Sequence, residues 1–200
     1  MEANLRSITL SVIMPTKGEE TLLRAIQSVL PQLKEGDELL VIADGLLGLT
    51  LPESPFIKYW ETEKTGYWGN HQRNEALKIA KGDYIIFLDA DDWYLEGALD
   101  KIKAQVSKDP KRVHSFAIQG HSGYVKSLTG AWPLVNLPIG NGMAALPNVK
   151  EWLVEYGTDP HETGGDSDWQ MIRQVIANSG ALPIHHLILT YAEGGIRGAG

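Results

Sequence analysis

The 200-residue chain contains no cysteine. Neither a disulfide framework nor a thiolate metal site is therefore open to it. Long hydrophobic runs are also missing: no apolar stretch approaches the ~20 residues of a membrane span. Met1-Glu2-Ala3-Asn4-Leu5-Arg6 lacks the basic-then-apolar order of a signal peptide. Positive charge is in deficit, with 18 Lys and Arg against 25 Asp and Glu and a net charge of −7. Nucleic acid is an unexpected partner for such a chain, because duplex binders present a basic face to phosphates. A local basic pocket for one small anion is still possible. These absences read as a soluble cytoplasmic protein, and the length suits one compact domain with a sizeable core.

What is present is an alternation of strand and helix patterns. Leu10 to Met14 is a short apolar run closed by Pro15, and reads as a buried strand. Leu22, Leu23, Ile26, Val29 and Leu30 then fall at helical spacing, with Pro31 helping to end the helix. Strands are expected at 39–42, 56–60 and 84–88, a helix at 70–80 stopped by Gly82, and another at 95–106. The second half is less regular: two strands within 112–128, a Pro- and Gly-rich loop at 129–142, helices at 148–156 and 167–178, and a strand at 185–191. The fold class expected is α/β, a mostly parallel sheet flanked by helices.

In an open parallel sheet, ligands bind beyond the carboxyl ends of the strands. Pro15-Thr16, Asp44-Gly45 and the Asp89–Asp92 segment should all arrive at that edge. Asp89, Asp91 and Asp92 directly follow the apolar run Tyr84-Ile85-Ile86-Phe87-Leu88. Two carboxylates ~5 Å apart repel by roughly 3 kcal/mol at an effective dielectric of ~20. A hard divalent ion such as Mn²⁺ or Mg²⁺, shared with substrate phosphates, would relieve that cost. Helix capping is the competing account of one carboxylate, but one cap does not explain three.

The run Ser11-Val12-Ile13-Met14-Pro15-Thr16-Lys17, with Leu23-Arg24-Ala25-Ile26-Gln27-Ser28-Val29-Leu30-Pro31-Gln32 after it, resembles the opening of a family 2 glycosyltransferase of the GT-A fold. Gln72-Arg73-Asn74-Glu75-Ala76-Leu77, followed by Phe87-Leu88-Asp89-Ala90-Asp91-Asp92, is similar to that family's next hallmark and its Asp-x-Asp element. The resemblance implies a Rossmann-like sheet with a nucleotide-sugar-binding half at 1–110 and a small acceptor-side half at 111–200. It also implies an inverting, metal-dependent enzyme that moves a sugar from a nucleotide-sugar donor to a hydroxyl acceptor.

Pro15 and Thr16 would then line the base and ribose site, and Asp44 would accept from the base, for which a uracil N–H is suited. Ala43 stands where the family often has a second acid, which leaves base preference open. Arg73 would lie near the base or diphosphate, Asp89 would contact the ribose, and Asp91 would ligate the metal. Asp92 is the one of the three best explained as a helix cap.

The stretch Gly164-Gly165-Asp166-Ser167-Asp168-Trp169 resembles the acidic pair that carries the family's catalytic base, which assigns Asp168 as base with Asp166 in reserve. Ser167-x-x-Gln170 is equally a capping box. No histidine is assigned to the metal: His185 and His186 should face opposite sides of a strand, and His71 and His161 stand alone. Gly140-Asn141-Gly142-Met143-Ala144-Ala145 fits a dinucleotide fingerprint but lies late in the chain, before Pro147, and reads as loop and strand. Two rivals remain, a nucleotidyltransferase and a non-catalytic nucleotide-binding or partner-docking module on the same fold.

Overall fold

The computed structural model describes residues 7–120, 123, 125–126, 141–158, 167–180 and 183–193. Asp166, His161, Trp132, most of the 129–142 loop and the tail past Glu193 lie outside these residues. Within them run the strands β1 (Leu10–Thr16), β2 (Glu38–Asp44), β3 (Ile57–Thr62), β4 (Tyr84–Phe87), β5 (Asp92–Tyr94), β6 (His114–Gly120), β7 (Val125–Lys126), β8 (Ala144–Pro147) and β9 (Ile184–Ala192). The helices are α1 (Leu22–Val29), α2 (Asn70–Ile79), α3 (Ala98–Val106) and α4 (Ser167–Ser179).

One sheet takes the order β3-β2-β1-β4-β8-β6-β9-β5, with β7 on β6. From β3 to β4 every pairing is parallel. Strands β8, β7 and β5 add antiparallel pairings. The parallel strands are covered on both faces, which is why they read as unbroken apolar runs rather than alternating ones. On one side Leu10, Val12 and Met14 of β1 pack with Leu39 and Val41 of β2 and with α1 and α3. On the other, Ile13, Leu40, Ile42, Ile85 and Phe87 meet Ala76 and Leu77 of α2 and Met171, Ile172, Val175 and Ile176 of α4.

The amino edge of the sheet is closed by saturated carboxylates. Asp37 accepts from Leu10 N (2.9 Å), Lys34 N (2.8 Å) and Lys103 Nζ (2.6 Å). Glu38 takes Ser11 Oγ (2.7 Å), Lys81 N (2.6 Å) and the Lys58 ammonium. Asp83 takes the Thr9 amide and hydroxyl.

Three expectations are corrected. Residues 148–156 form no helix: a single turn at 149–153 gives way to irregular chain. Its side chains are committed elsewhere. Asn148 Nδ2 donates to the carbonyls of Ala80 (3.0 Å) and Gly82 (2.8 Å), and Lys150 Nζ to those of Leu77 (2.6 Å) and Ala80 (3.2 Å). The segment thus satisfies the orphan carbonyls at the carboxyl end of α2, where a cation is favoured.

The helix expected from Leu95 begins only at Ala98, because residues 92–94 pair with Ala192, Tyr191 and Thr190 as β5. Gly82, lastly, is no helix stop. The C-cap of α2 is Ala80, and Gly82 lies outside the left-handed region. Its glycine requirement is space, since a Cβ there would sit 2.4 Å from Ser11 N and 2.5 Å from the Leu10 carbonyl carbon. Gly82→Ala is therefore expected to cost about 1–3 kcal/mol of stability by overpacking, read as a lowered denaturant midpoint with an unchanged m-value.

Candidate functional site

Strand register delivers the site. Thr16 lies beside Ala43, and Ile13 beside Phe87, so Pro15-Thr16, Asp44 and Asp89 leave the sheet at one edge. Thr16 is buried, and its hydroxyl donates to Glu19 Oε2 at 2.6 Å. At the end of β2, Asp44 Oδ1 accepts from Thr65 N (2.6 Å), Thr65 Oγ1 (3.0 Å) and Gln72 Nε2 (3.1 Å), and Oδ2 from Gly66 N (2.9 Å). Burial pushes this carboxyl up, but the Thr65 and Gly66 amides and the side-chain donors outweigh it and hold Asp44 below its ordinary value. A cleft of ≈ 620 Å³ opens here, lined by Lys17, Asp44, Leu46, Leu47, Lys64 and Gly66.

The loop into α2 is tightly built. Gly69 has φ +79°, and a Cβ on it would stand 2.7 Å from Pro15 Cβ, so only glycine lets α2 start against β1. Trp68, at φ +49°, is a bulky residue in the left-handed region and is 58% exposed. Its carbonyl accepts from an Arg73 NH of the guanidinium at 2.7 Å.

Arg73 is not the solvated helix residue that a lone arginine most often is. It is 4% exposed, and its other terminal nitrogen donates to Asp89 Oδ1 at 2.5 Å. Its Cζ lies 5.8 Å from the ring centroid of buried Tyr156. Burial disfavours the guanidinium charge, yet Asp89 and then Asp168 more than compensate and push its value up. One cation is thus bonded to the acid that follows β4 and feels the charge of the acid that opens α4. The sequence resemblance had assigned these two carboxylates to different tasks.

Asp89, Asp91 and Asp92 are all half-buried, and each offers an oxygen within 4.8 Å of the others. The cluster fits a hard cation: its donors are all oxygen, and it is under electrostatic load. Burial and then the Asp89 charge push Asp91 above the usual carboxylate range. Burial, Asp89 and Asp91 push Asp92 up to about 8. Asp92 thus belongs with Asp89 and Asp91 in one acidic cluster and is not the helix cap that sequence reasoning made of it. It lies in β5, and the N-cap of α3 is Gly97. The available signal was the count of three acids after one strand.

Strand β5 is pinned from its far side. Trp93 stacks on Tyr191 with centroids 4.1 Å apart, and Arg24 Cζ lies 3.3 Å above the Trp93 ring. Alternation along β5 then turns Asp92 to the opposite face from Trp93.

Asp168 is half-buried in the first turn of α4. Ser167 Oγ accepts from Asn70 Nδ2 at 3.0 Å, so that hydroxyl is engaged across to α2. Among the described residues, the group that could hold a metal comprises the three aspartates and no histidine. His185 Nε2 lies 2.9 Å from His114 Nδ1, and His114 Nε2 bonds the Asp109 carbonyl at 2.9 Å. Of the apparent fingerprint, residues 141–145 form a short 3₁₀ turn and the start of β8.

Comparison with known proteins places this geometry. A family model described as glycosyl transferase family 2 matches residues 11–167. A poly(ribitol-phosphate) beta-N-acetylglucosaminyltransferase, TarP of Staphylococcus aureus (strain N315), is 35% identical over 101 residues, 46% of this chain and 31% of that protein. An uncharacterized glycosyltransferase of Rickettsia bellii (strain RML369-C) is 33% identical over 105 residues, 48% of this chain and 15% of that one. The match thus spans less than a third of either relative's own length. Among solved structures, S. aureus TarS superposes with a TM-score of 0.72 at 18% identity, over 93% of this chain and 37% of that one. TarS 1–349 in complex with UDP gives 0.71 at 18%, over 93% and 60%. At that identity the likeness shows the fold. No helix among the described residues is long and apolar enough to cross a membrane.

The raised Asp92 carries a sign. Folding strengthens its hold on a proton, so its stabilising contribution is complete below pH ~4 and is lost as pH rises to about 8. A divalent ion bound at this cluster would displace that proton. Mn²⁺ affinity measured by calorimetry is expected to rise up to about tenfold per pH unit toward pH 8 and flatten above it. Asp92→Asn is expected to flatten that slope and, without metal, to raise the unfolding temperature at pH 8. A slope unchanged in the variant would assign the proton elsewhere.

Proposed function

The chain belongs to glycosyl transferase family 2, and on that premise we propose that it transfers a sugar from a nucleotide-sugar, UDP-linked by preference, to a hydroxyl acceptor with inversion at the anomeric carbon. The observation that supports the reading is the buried Arg73, paired with Asp89 at the sheet edge and within the field of Asp168 at the head of α4. On this reading it would link a cation-binding acidic edge to a base-bearing helix.

The cleft beside Asp44 would take the nucleoside. Asp44 Oδ2 has a single described donor, Gly66 N, and keeps acceptor capacity for a base N–H. Pro15 and Thr16 would line the base and ribose, and the half-exposed Asp89 carboxylate would meet the ribose hydroxyls while Arg73 holds it in place. When bound on Asp91 with Asp92 beside it, Mn²⁺ or Mg²⁺ would supply Lewis-acid charge for the leaving diphosphate. Asp168 would take the acceptor hydroxyl proton as that oxygen attacks the anomeric carbon. The bond from that carbon to the diphosphate oxygen breaks in the same displacement, and its electron pair leaves on the nucleoside diphosphate. The UDP complex of the fold neighbour supports the base preference, and the TarP relative supports UDP-N-acetylglucosamine as the first donor to try.

Release of UDP from UDP-N-acetylglucosamine, UDP-glucose or UDP-galactose in the presence of Mn²⁺ tests the reading. EDTA is expected to abolish it. Asp91→Asn is expected to lose Mn²⁺-dependent UDP binding. Asp168→Asn is expected to keep UDP binding within about twofold while turnover falls by ~10²- to 10⁴-fold, the usual worth of a general base. UDP binding without any donor consumption would favour a nucleotide-binding module instead.

A further inference from the structure

Helix α2 buries an unusually polar face. Asn70, Arg73 and Asn74 stand at positions i, i+3 and i+4, which share one side of a helix, and all three are at most 6% exposed. Between them they reach the sheet edge, the 156–157 segment and the head of α4. Arg73 holds Asp89. Asn74 exchanges two bonds with Tyr156, donating to its carbonyl at 3.0 Å and accepting from its amide at 2.7 Å. Asn70 Nδ2 donates to the Gly157 carbonyl at 2.8 Å and to Ser167 Oγ at 3.0 Å, while its Oδ1 lies 3.4 Å from the Arg73 guanidinium.

Ser167 is the first residue of α4 and directly precedes Asp168. It is 7% exposed, so both ends of the Asn70–Ser167 bridge are out of water. Breaking either end strands a buried polar group, which makes the bridge a fixed link rather than an optional contact. The start of the helix is thus held by an amide–hydroxyl pair.

We propose that Asn70 is a positioning residue for Asp168, acting through Ser167 to hold the first turn of α4 against the helix that carries Arg73. The inference rests on the reading of Asp168 as general base. Placement is worth this much machinery because a misplacement of ~1 Å at a reacting group can cost ~10²-fold in rate.

The test uses the full chain, the fastest-consumed of the three UDP-sugars with Mn²⁺, and calorimetric binding of UDP with Mn²⁺. Asn70→Ala and Ser167→Ala are each expected to lower kcat by about 10- to 100-fold, with UDP affinity and donor KM within about twofold. The double variant is expected to be no slower than the worse single one, because the two side chains form one link. Ser167→Thr, which keeps the hydroxyl, is expected to recover most of the loss seen in Ser167→Ala. Should Asn70→Ala not fold, the Ser167 pair of variants carries the same contrast.

Unchanged kcat in the alanine variants would overturn the inference. So would UDP affinity falling in step with kcat, which is the mark of a bracket for the whole site. With Asp168→Asn inactive, those outcomes remove this inference alone. Normal turnover in Asp168→Asn, or no donor consumption by the wild type, would remove it together with the reading beneath it.

Discussion

The ion pair between Arg73 and Asp89 is the constraint around which the site is arranged. A guanidinium with almost no exposure is tolerable only if charge and hydrogen bonds replace the water it has lost. Asp89 supplies charge from the sheet edge, the Trp68 carbonyl supplies a bond from the loop, and the face of Tyr156 covers the cation from the second half of the chain. Asp168 adds a second negative field. Trp68, Asp89 and Tyr156 belong to different segments, so one desolvated charge ties the loop before α2, the end of β4 and the irregular chain after β8 to the same place.

The two edges of the sheet treat acid residues in opposite ways. At the amino edge, Asp37, Glu38 and Asp83 are saturated by backbone amides, hydroxyls and lysines, and their task is complete on folding. At the carboxyl edge, Asp91 and Asp92 repel each other and Asp89, and burial presses both toward the protonated form. Asp44 lies between these extremes, with most of its acceptor capacity spent on residues 65, 66 and 72. The contrast separates carboxylates whose charge is satisfied within the fold from those whose charge is not. It is drawn by the number and polarity of donors each one meets.

Much of the first half was legible in sequence because local pattern and tertiary role agree there. Leu10 to Met14, Leu39 to Ile42 and Tyr84 to Leu88 are apolar throughout because both faces are covered, and their ends carry the acids. The family match and the TarS fold bear out the resemblance on which the class was read. Apart from Gly82, whose constraint is close packing, the failures share one cause, which is long-range hydrogen bonding that no local window contains. Residues 148–156 carry helical periodicity, yet Asn148 and Lys150 are spent on α2 carbonyls. Residues 92–94 sit where a helix start was expected, yet they pair with a strand a hundred positions later. Asp92 was misread for the same reason, and the burial of Arg73 was invisible because its cover, Tyr156, is distant in sequence.

The placement of β5 has a bearing on how such a protein can be recombined. Residues 92–94 leave the first half of the chain, run past the strands that follow, and form the outer rim of the sheet against β9. A chimera joined near residue 110 would therefore trade more than a new carboxyl-terminal portion. It would have to bring its own mate for Asp92–Tyr94, including an aromatic opposite Trp93, or the acidic rim inherited from the first parent would lose its backing. Exchange of that portion between relatives is gated by three residues on the wrong side of the seam.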